Sequence, residues 1–380
     1  MTFTEGRQKW LTVAEELATA LRVDAAERDR RGESPVREVE LLRQSGLLTI
    51  SDWSTQQAVT RVIGAADANI GHLLGYHYLQ IWRSGLFDAA GFEAADNLYS
   101  AGLFWAGVSN PLDAALKLTP VEDGYLVDGR KTFATGAALA DKLVVSATRI
   151  DNDEKLTFVL DAGTPGITFA GDWDNMGQRL TASGGVVFTE VHVPHANVLG
   201  MQPEDPSPRL SLAAIGFQLV LAQLYVAIAE GALAEAAQYT RATTRPWFLS
   251  GVDAATADPY ILATYGELVA QVEAAGLLAD HAAGVLLSAS EEGAALTAEQ
   301  RAVTAATISS AKVFSTRVVN ETTSKVFELC GARATASGYG FDRFWRNSRT
   351  LTLHDPVSYK AREVGEYFLT GARPPFTGYS

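Results

Sequence analysis

The sequence holds a single cysteine, Cys330, in 380 residues, which excludes an intrachain disulfide and any metal site built from several thiolates. It also lacks positive charge. Thirty-one lysines and arginines stand against forty-four aspartates and glutamates, a formal charge of -13, so no chain-wide basic surface exists to neutralise a nucleic-acid backbone. There is no Walker-type loop, no Gly-x-Gly-x-x-Gly turn after a strand and no His/Glu spacing suited to zinc, which removes the usual support for ATPase, Rossmann-type and metallohydrolase readings. Glu5, Glu15, Glu16 and Asp24 interrupt the first thirty residues, and no export or transit segment is expected there. The most apolar run, Leu210 to Ala229, contains Ser211, Gln218 and Gln223 and reads as a buried helix rather than a membrane span. These absences point to a soluble protein of the reducing cytoplasm, with no metal, nucleic acid or membrane among its partners.

What is present is globular composition, 47% hydrophobic and 20% charged, in a chain long enough for two or three packed domains. From Gly6 to about Asn97 apolar residues recur at three and four, as in Trp10, Val13, Leu17 and Leu21, so the opening third reads as helical. The pattern then turns to strands at Leu116–Pro120, Tyr125–Val127, Lys142–Ala147, Lys155–Leu160 and Val186–Val193, with turns expected at Asp123-Gly124 and Asp128-Gly129 and a stop at Pro194. Pro203, Pro206 and Pro208 mark a linker. Beyond it, Ser207–Ala242, Pro259–Ala289, Thr297–Leu329 and Ser348–Leu369 read as four long amphipathic helices of a bundle. The fold class is therefore α+β and mostly α: an N-terminal helical domain over 1–100, a middle β-barrel-like domain over 101–203 and a C-terminal four-helix bundle over 204–380.

Several residues invite a chemical reading beside a structural one. His354 and Asp355 precede Pro356; the imidazole could act in catalysis, while Asp355 with Pro356 at the first helical position reads as a helix N-cap. His72 and Tyr76 stack on one helical face, as a pocket wall or as part of an aromatic core. Gly107 to Pro111 and Lys131 to Gly136 end strands in small polar residues that suit a flat ligand, and equally suit ordinary turns. Arg241, Arg245, Arg333, Arg343, Arg346 and Arg349 form a basic set in an acidic chain, either a phosphate site or solvated helix faces.

Taken in order, these segments resemble the acyl-CoA dehydrogenase superfamily over nearly the whole chain. The resemblance rests on Met176-Gly177-Gln178-Arg179 followed by Ser183-Gly184 and Val193-Pro194, and on Cys330-Gly331-Ala332-Arg333 and Arg346-Asn347-Ser348-Arg349. Thr240 to Trp247 and Leu353-His354-Asp355-Pro356-Val357 are similar to the dibenzothiophene monooxygenase branch. That resemblance implies FMN, used as FMNH2 with O2, the reduced flavin coming from a separate NAD(P)H:flavin reductase, and a homotetramer. It implies oxygen transfer from a C4a-hydroperoxyflavin to a sulfur, nitrogen or aromatic centre of a small molecule.

Carried onto this chain, Asn110, Pro111, Leu112, Asp113, Ala114, Ala115, Lys131, Thr132, Phe133, Ala134 and Thr135 would meet FMN from the β side. Tyr76 would do so from the first helices, and Ala332, Arg333 and His354 from the bundle, with Arg245 reaching the phosphate from a neighbouring subunit. His354, Thr135, His72, Tyr76 and Asn110 are the expected catalytic set. The chain departs from the branch at Leu351, where a second histidine is usual, in the short run from Gly46-Leu47-Leu48 to Trp53, and in the short segment after Asn110. The alternatives are an FAD-dependent acyl-CoA dehydrogenase with Asp355 as base, and a non-catalytic binding protein of the same fold.

Overall fold

The computed structural model describes residues 3–87, 98–202 and 207–380. The helical expectation for 88–97 and the linker prolines Pro203 and Pro206 lie outside these residues. The first helices are α1 (Phe3–Arg31), α2 (Val36–Gln44), α3 (Trp53–Ala66) and α4 (Ala68–Gly85). Each of the last two starts where an aspartate carboxylate accepts a free backbone N–H: Asp52 from Thr55 at 2.7 Å and Asp67 from Asn69 at 3.0 Å. Every residue of α4 is buried, because it packs among α3, the first strand and the first bundle helix. Gly71 permits this, since a Cβ there would lie 2.4 Å from the Cα of Gly64 on α3.

The strands are β1 (Trp105–Val108), β2 (Lys117–Val121), β3 (Gly124–Lys131), β4 (Lys142–Arg149), β5 (Lys155–Asp161), β6 (Ile167–Phe169), β7 (Val186–Pro194) and β8 (Val198–Gln202). They form one mixed sheet in the order β6-β7-β3-β2-β4-β5-β8, and β1 runs parallel to β4 beside it. Asp123-Gly124 makes the expected turn, with Val121 opposite Gly124. Asp128-Gly129 does not. It lies inside β3, where the register with β7 shifts between Val127 and Gly129; the glycine marks a bulge within a paired strand rather than a chain reversal.

The bundle consists of α5 (Pro208–Ala242), α6 (Pro259–Glu291), α7 (Ala298–Cys330), α8 (Asp342–Leu351) and α9 (Val357–Thr370). Helix α5 is long and apolar enough to cross a membrane, but 83% of its most apolar window is buried inside the protein. Asp258 caps α6 with Pro259 at its first position, and a Thr297/Gln300 capping box starts α7. The single helix expected over Ser348–Leu369 is broken in two. Pro356 disfavours helical geometry at Asp355, and α9 begins after Pro356 with no side-chain cap. Asp355 is therefore not an N-cap; its carboxylate pairs with Lys312 and His354. A buried ammonium without a counter-ion costs several kcal/mol, against about 1 kcal/mol for a cap, so the ion pair takes the carboxylate.

Candidate functional site

The break between α8 and α9, the ends of β1 and β3, helix α4 and the chain's last residues enclose one cavity of about 900 Å³. Four residues of α4 line it: His72, Tyr76, Gln80 and Arg83. Their spacing of four, four and three puts them on one face of the helix. The imidazole of His72 and the ring of Tyr76 meet edge to face at 4.3 Å. His72 Nδ1 lies 3.0 Å from the Gln178 amide oxygen, while His72 Nε2 and Gln178 Nε2 are buried without a partner.

The segment Met176-Gly177-Gln178-Arg179 is clamped between layers. A Cβ on Gly177 would lie 2.0 Å from the Arg346 carbonyl oxygen, so only glycine lets α8 come this close. Asn347 then accepts from the Gln178 N–H at 2.6 Å, and Asn69 from the Leu180 N–H at 3.2 Å. Gln178 and Phe133, both cavity-lining, hold left-handed φ angles of 55° and 54°, a cost that surrounding contacts must offset. Phe133 packs edge-on to Trp173, with centroids 5.9 Å apart, and Thr135, Ser183 and Thr181 form a hydroxyl chain with steps of 2.9 and 2.7 Å.

On the opposite side, His354 Nδ1 lies 2.8 Å from Asp355 Oδ1, and Lys312 reaches the same carboxylate from α7. Burial opposes ionisation of Asp355, but the His354 hydrogen bond and the Lys312 charge outweigh it and hold the carboxyl well below the usual range. An ionised Asp355 keeps the proton on His354 Nδ1 and leaves Nε2 as the acceptor. Burial lowers the pKa of His72 to about 4, with the Gln178 bond opposing and proximity to His354, whenever that ring is protonated, adding to the shift. Tyr76 is pushed up, chiefly by burial. At neutral pH His72 is thus an uncharged imidazole and Tyr76 a protonated donor.

Of the residues expected at the site, His72, Tyr76, Asn110, Pro111, Leu112, Phe133, Thr135 and His354 line this cavity. Asp113, Lys131 and Thr132 stand behind it as braces: Asp113 accepts from the Thr132 N–H at 2.5 Å, and Lys131 Nζ donates to the Asn110 carbonyl at 2.9 Å. Ala114, Ala115 and Ala134 do not line it, nor do Arg245, Ala332 and Arg333. The last three lie at the far end of the bundle, where Thr244 Oγ1 reaches the Cys330 carbonyl at 3.4 Å. Two of the six arginines of the basic set are taken up by acidic partners, Arg343 by Glu235 and Arg346 by Asp29 and Asp342.

Sequence reasoning missed Gln80, Arg83, Lys155, Trp173, Phe217 and the tail residue Tyr379, all cavity-lining. The α4 stripe was findable, because polar residues at helical spacing interrupt an otherwise apolar helix. The tail was not: Tyr379 meets His354 edge-on at 5.6 Å only because Gln218 and Lys360 donate to its carbonyl at 2.9 and 2.7 Å.

Residues 109–191 match the acyl-CoA dehydrogenase middle domain and residues 219–359 the acyl-CoA dehydrogenase C-terminal domain. The chain is 39% identical to a dibenzothiophene monooxygenase of Rhodococcus erythropolis, over 96% of this chain and 94% of the relative. Among solved structures it is similar to methanesulfinate monooxygenase MsuC of Pseudomonas fluorescens, with 36% identity, TM-score 0.91 and coverage of 97% and 99%. It is similar also to TdsC of Paenibacillus sp. A11-2 in complex with FMN and indole, with 38% identity, TM-score 0.91 and coverage of 98% and 99%.

Proposed function

The chain belongs to the acyl-CoA dehydrogenase family, on its monooxygenase side, and from that premise we propose that it is an FMN-dependent monooxygenase acting on a small molecule. The observation that carries this reading is the state of Asp355. A dehydrogenase needs a carboxylate free to take a proton from its substrate; here the expected base is buried, ion-paired to Lys312, held ionised, and turned to orient His354 instead.

The residues fit a flavin. An exposed Phe133 beside Trp173 offers apolar ring surface, and the unpartnered Gln178 Nε2 and His72 Nε2 offer polar atoms to a ligand. Asn110, Thr135 and His354 would hold the ring from the two sides of the cavity, and Asp113, Lys131 and Thr132 would brace the loop that carries Asn110. Reduced FMN supplies two electrons, so that FMNH2, O2 and substrate yield FMN, water and the oxygenated substrate. The protein's part is to bind, dry and protonate. Leu351, Phe217 and Phe376 close apolar walls against water, His354 Nε2 would hold or move a proton at the cavity, and the hydroxyl of Thr135, positioned 2.9 Å from Ser183 Oγ, would offer a hydrogen-bonding group there.

The same reading divides the chain into units over 1–100, 101–203 and 204–380, with the cavity at their junction. It makes the protein a homotetramer in which Arg245 and Arg333 of one copy hold the FMN phosphate of another; their distance from the cavity of their own chain and the exposed Trp247, Phe248 and Leu249 beside Arg245 support it. A separate NAD(P)H:flavin reductase would supply FMNH2, since the sequence carries no nicotinamide-binding loop, and a reducing cytoplasm suits the lone buried Cys330. Dibenzothiophene, indole and methanesulfinate occur in the names of relatives, so membership of the branch leaves the charge of the substrate open.

The deciding experiment supplies FMNH2 and 18O2 with candidate sulfur, nitrogen and aromatic substrates. One labelled atom per product, lost in His354→Ala with FMN still bound, is the expected result. Tight FAD binding with bleaching by an acyl-CoA, and no labelled product, would return the chain to the dehydrogenases.

A further inference from the structure

We propose that the substrate carries a small oxyanion, a sulfinate, sulfonate or carboxylate, and that Arg83 reads this charge with help from Lys155. The inference rests on the proposed function for the reaction that follows binding and for the placing of the flavin phosphate at Arg245 and Arg333; the anion site itself stands on the α4 stripe.

Arg83 is 4% exposed yet lines the cavity. Its guanidinium is bonded to uncharged groups alone: Gln80 Oε1 at 3.3 Å and Ser109 Oγ at 3.2 Å through one terminal nitrogen, and Ser146 Oγ at 3.0 Å through the other. Arg28, Arg343, Lys312 and Lys360 face carboxylates of Asp67, Glu235, Asp355 and Glu363, whereas buried Arg301 and Lys131 donate to main-chain carbonyls, of Pro374 for the one and of Asn110 and Asp113 for the other. Among the described residues Arg83 has neither kind of partner, and Lys155 has no carboxylate. Burying an unpaired guanidinium is costly, and a cost retained in a cavity wall is recovered when a ligand brings the missing charge. Lys155, on β5, leaves its side chain open to the same cavity; desolvation, then the charges of Arg83 and Lys131, lower its pKa. An anion between the two cations would relieve that repulsion.

The sign of the cavity follows. In a chain of formal charge -13, the wall carries Arg83 and Lys155 against Asp174. Ser109, Ser146 and Gln80 fix the guanidinium fork, which suits two oxygens of a planar or pyramidal oxyanion. The flavin phosphate is the other anion to consider. With that phosphate assigned to Arg245 and Arg333, the charge at Arg83 is left for the substrate.

The test measures equilibrium binding of benzenesulfinate and of the uncharged methyl phenyl sulfone to the FMN-loaded protein by calorimetry, with FMN affinity followed separately by flavin fluorescence. Wild type should prefer the sulfinate by at least about tenfold, as a charge-assisted bond implies. Arg83→Gln should abolish the preference and Lys155→Met should weaken it about threefold, both with FMN affinity unchanged. Arg83→Lys, which keeps the charge, guards against misfolding of the glutamine variant and should retain part of the preference. Equal binding of sulfinate and sulfone by wild type would overturn the proposal. So would a loss of FMN affinity in place of sulfinate affinity, which would make Arg83 a phosphate ligand. Anion binding that depends on Arg83 without oxygen transfer would leave this site standing and reject the monooxygenase reading alone.

Discussion

Replacing Asp355 by Asn separates the two tasks given to that carboxylate. Lys312 is 1% exposed and Asp355 7%, and the other polar contact of the ammonium is Gln218. Removing the carboxylate leaves a buried cation with one neutral partner, a loss of about 3–5 kcal/mol for a broken buried pair. Lys312→Met alone strands the carboxylate with His354 and should cost a similar amount. The two together remove both charges, and the double variant should recover most of the loss, since replacing a buried pair by uncharged groups of similar volume is often neutral. Activity should not recover. Without the carboxylate nothing holds the proton on His354 Nδ1, and the oxygenation rate should fall by about 10²-fold, the lower end for a positioned proton-transfer group. Denaturant unfolding and coupled turnover of the four proteins form the cycle. Single variants of wild-type stability, a double variant as unstable as the sum of the singles, or a double variant with full activity would each refute the argument.

Burial lowers the pKa of His77 from 6.5 to about 4, and its neighbours require the neutral ring, because Nδ1 accepts from the Trp105 N–H at 3.2 Å while Nε2 donates to the Leu48 carbonyl at 2.9 Å. The folded value lies below the unfolded one, so the unfolded chain binds more protons between the two. Stability is full above pH 6.5 and falls towards pH 4 by up to about 3 kcal/mol from this group; acid titration of unfolding in wild type and in His77→Gln should show a flatter profile in the variant. Phe133→Ala should weaken FMN binding about tenfold through loss of ring contact, with Trp173 left unsupported; flavin fluorescence titration checks it. Arg245→Ala should weaken FMN by about 10–100-fold, the worth of one charge-assisted bond, and copies mixed with His354→Ala protein should regain sites if the arginine acts across subunits.

The motifs legible in the chain were those whose partners are close in sequence or whose residue type leaves little choice. Gly177 is one, because no other residue lets α8 approach. His72 and Tyr76 are another, because helical spacing alone sets them side by side. Helices α6 and α7 were legible from their amphipathic spacing, and the caps that start them, Asp258 with Pro259 and Thr297 with Gln300, are equally local. Asp128-Gly129 misled for a related reason: the dipeptide favours a turn and a bulge equally, and only pairing of β3 with β7 selects the bulge.

Residue order by itself determined the succession of helices, strands and bundle, the acidic chain without disulfides or motif loops, and the strand ends and histidines that line the cavity. Those follow from periodicity and local backbone preference, which act within a few residues. Tertiary structure alone decided that Asp355 serves Lys312 and His354 rather than a helix end, that Arg83 and Lys155 meet in one cavity, and that the tail brings Tyr379 against His354. Each turns on burial and charge between residues tens to hundreds of positions apart, energies that exist only once the layers have packed.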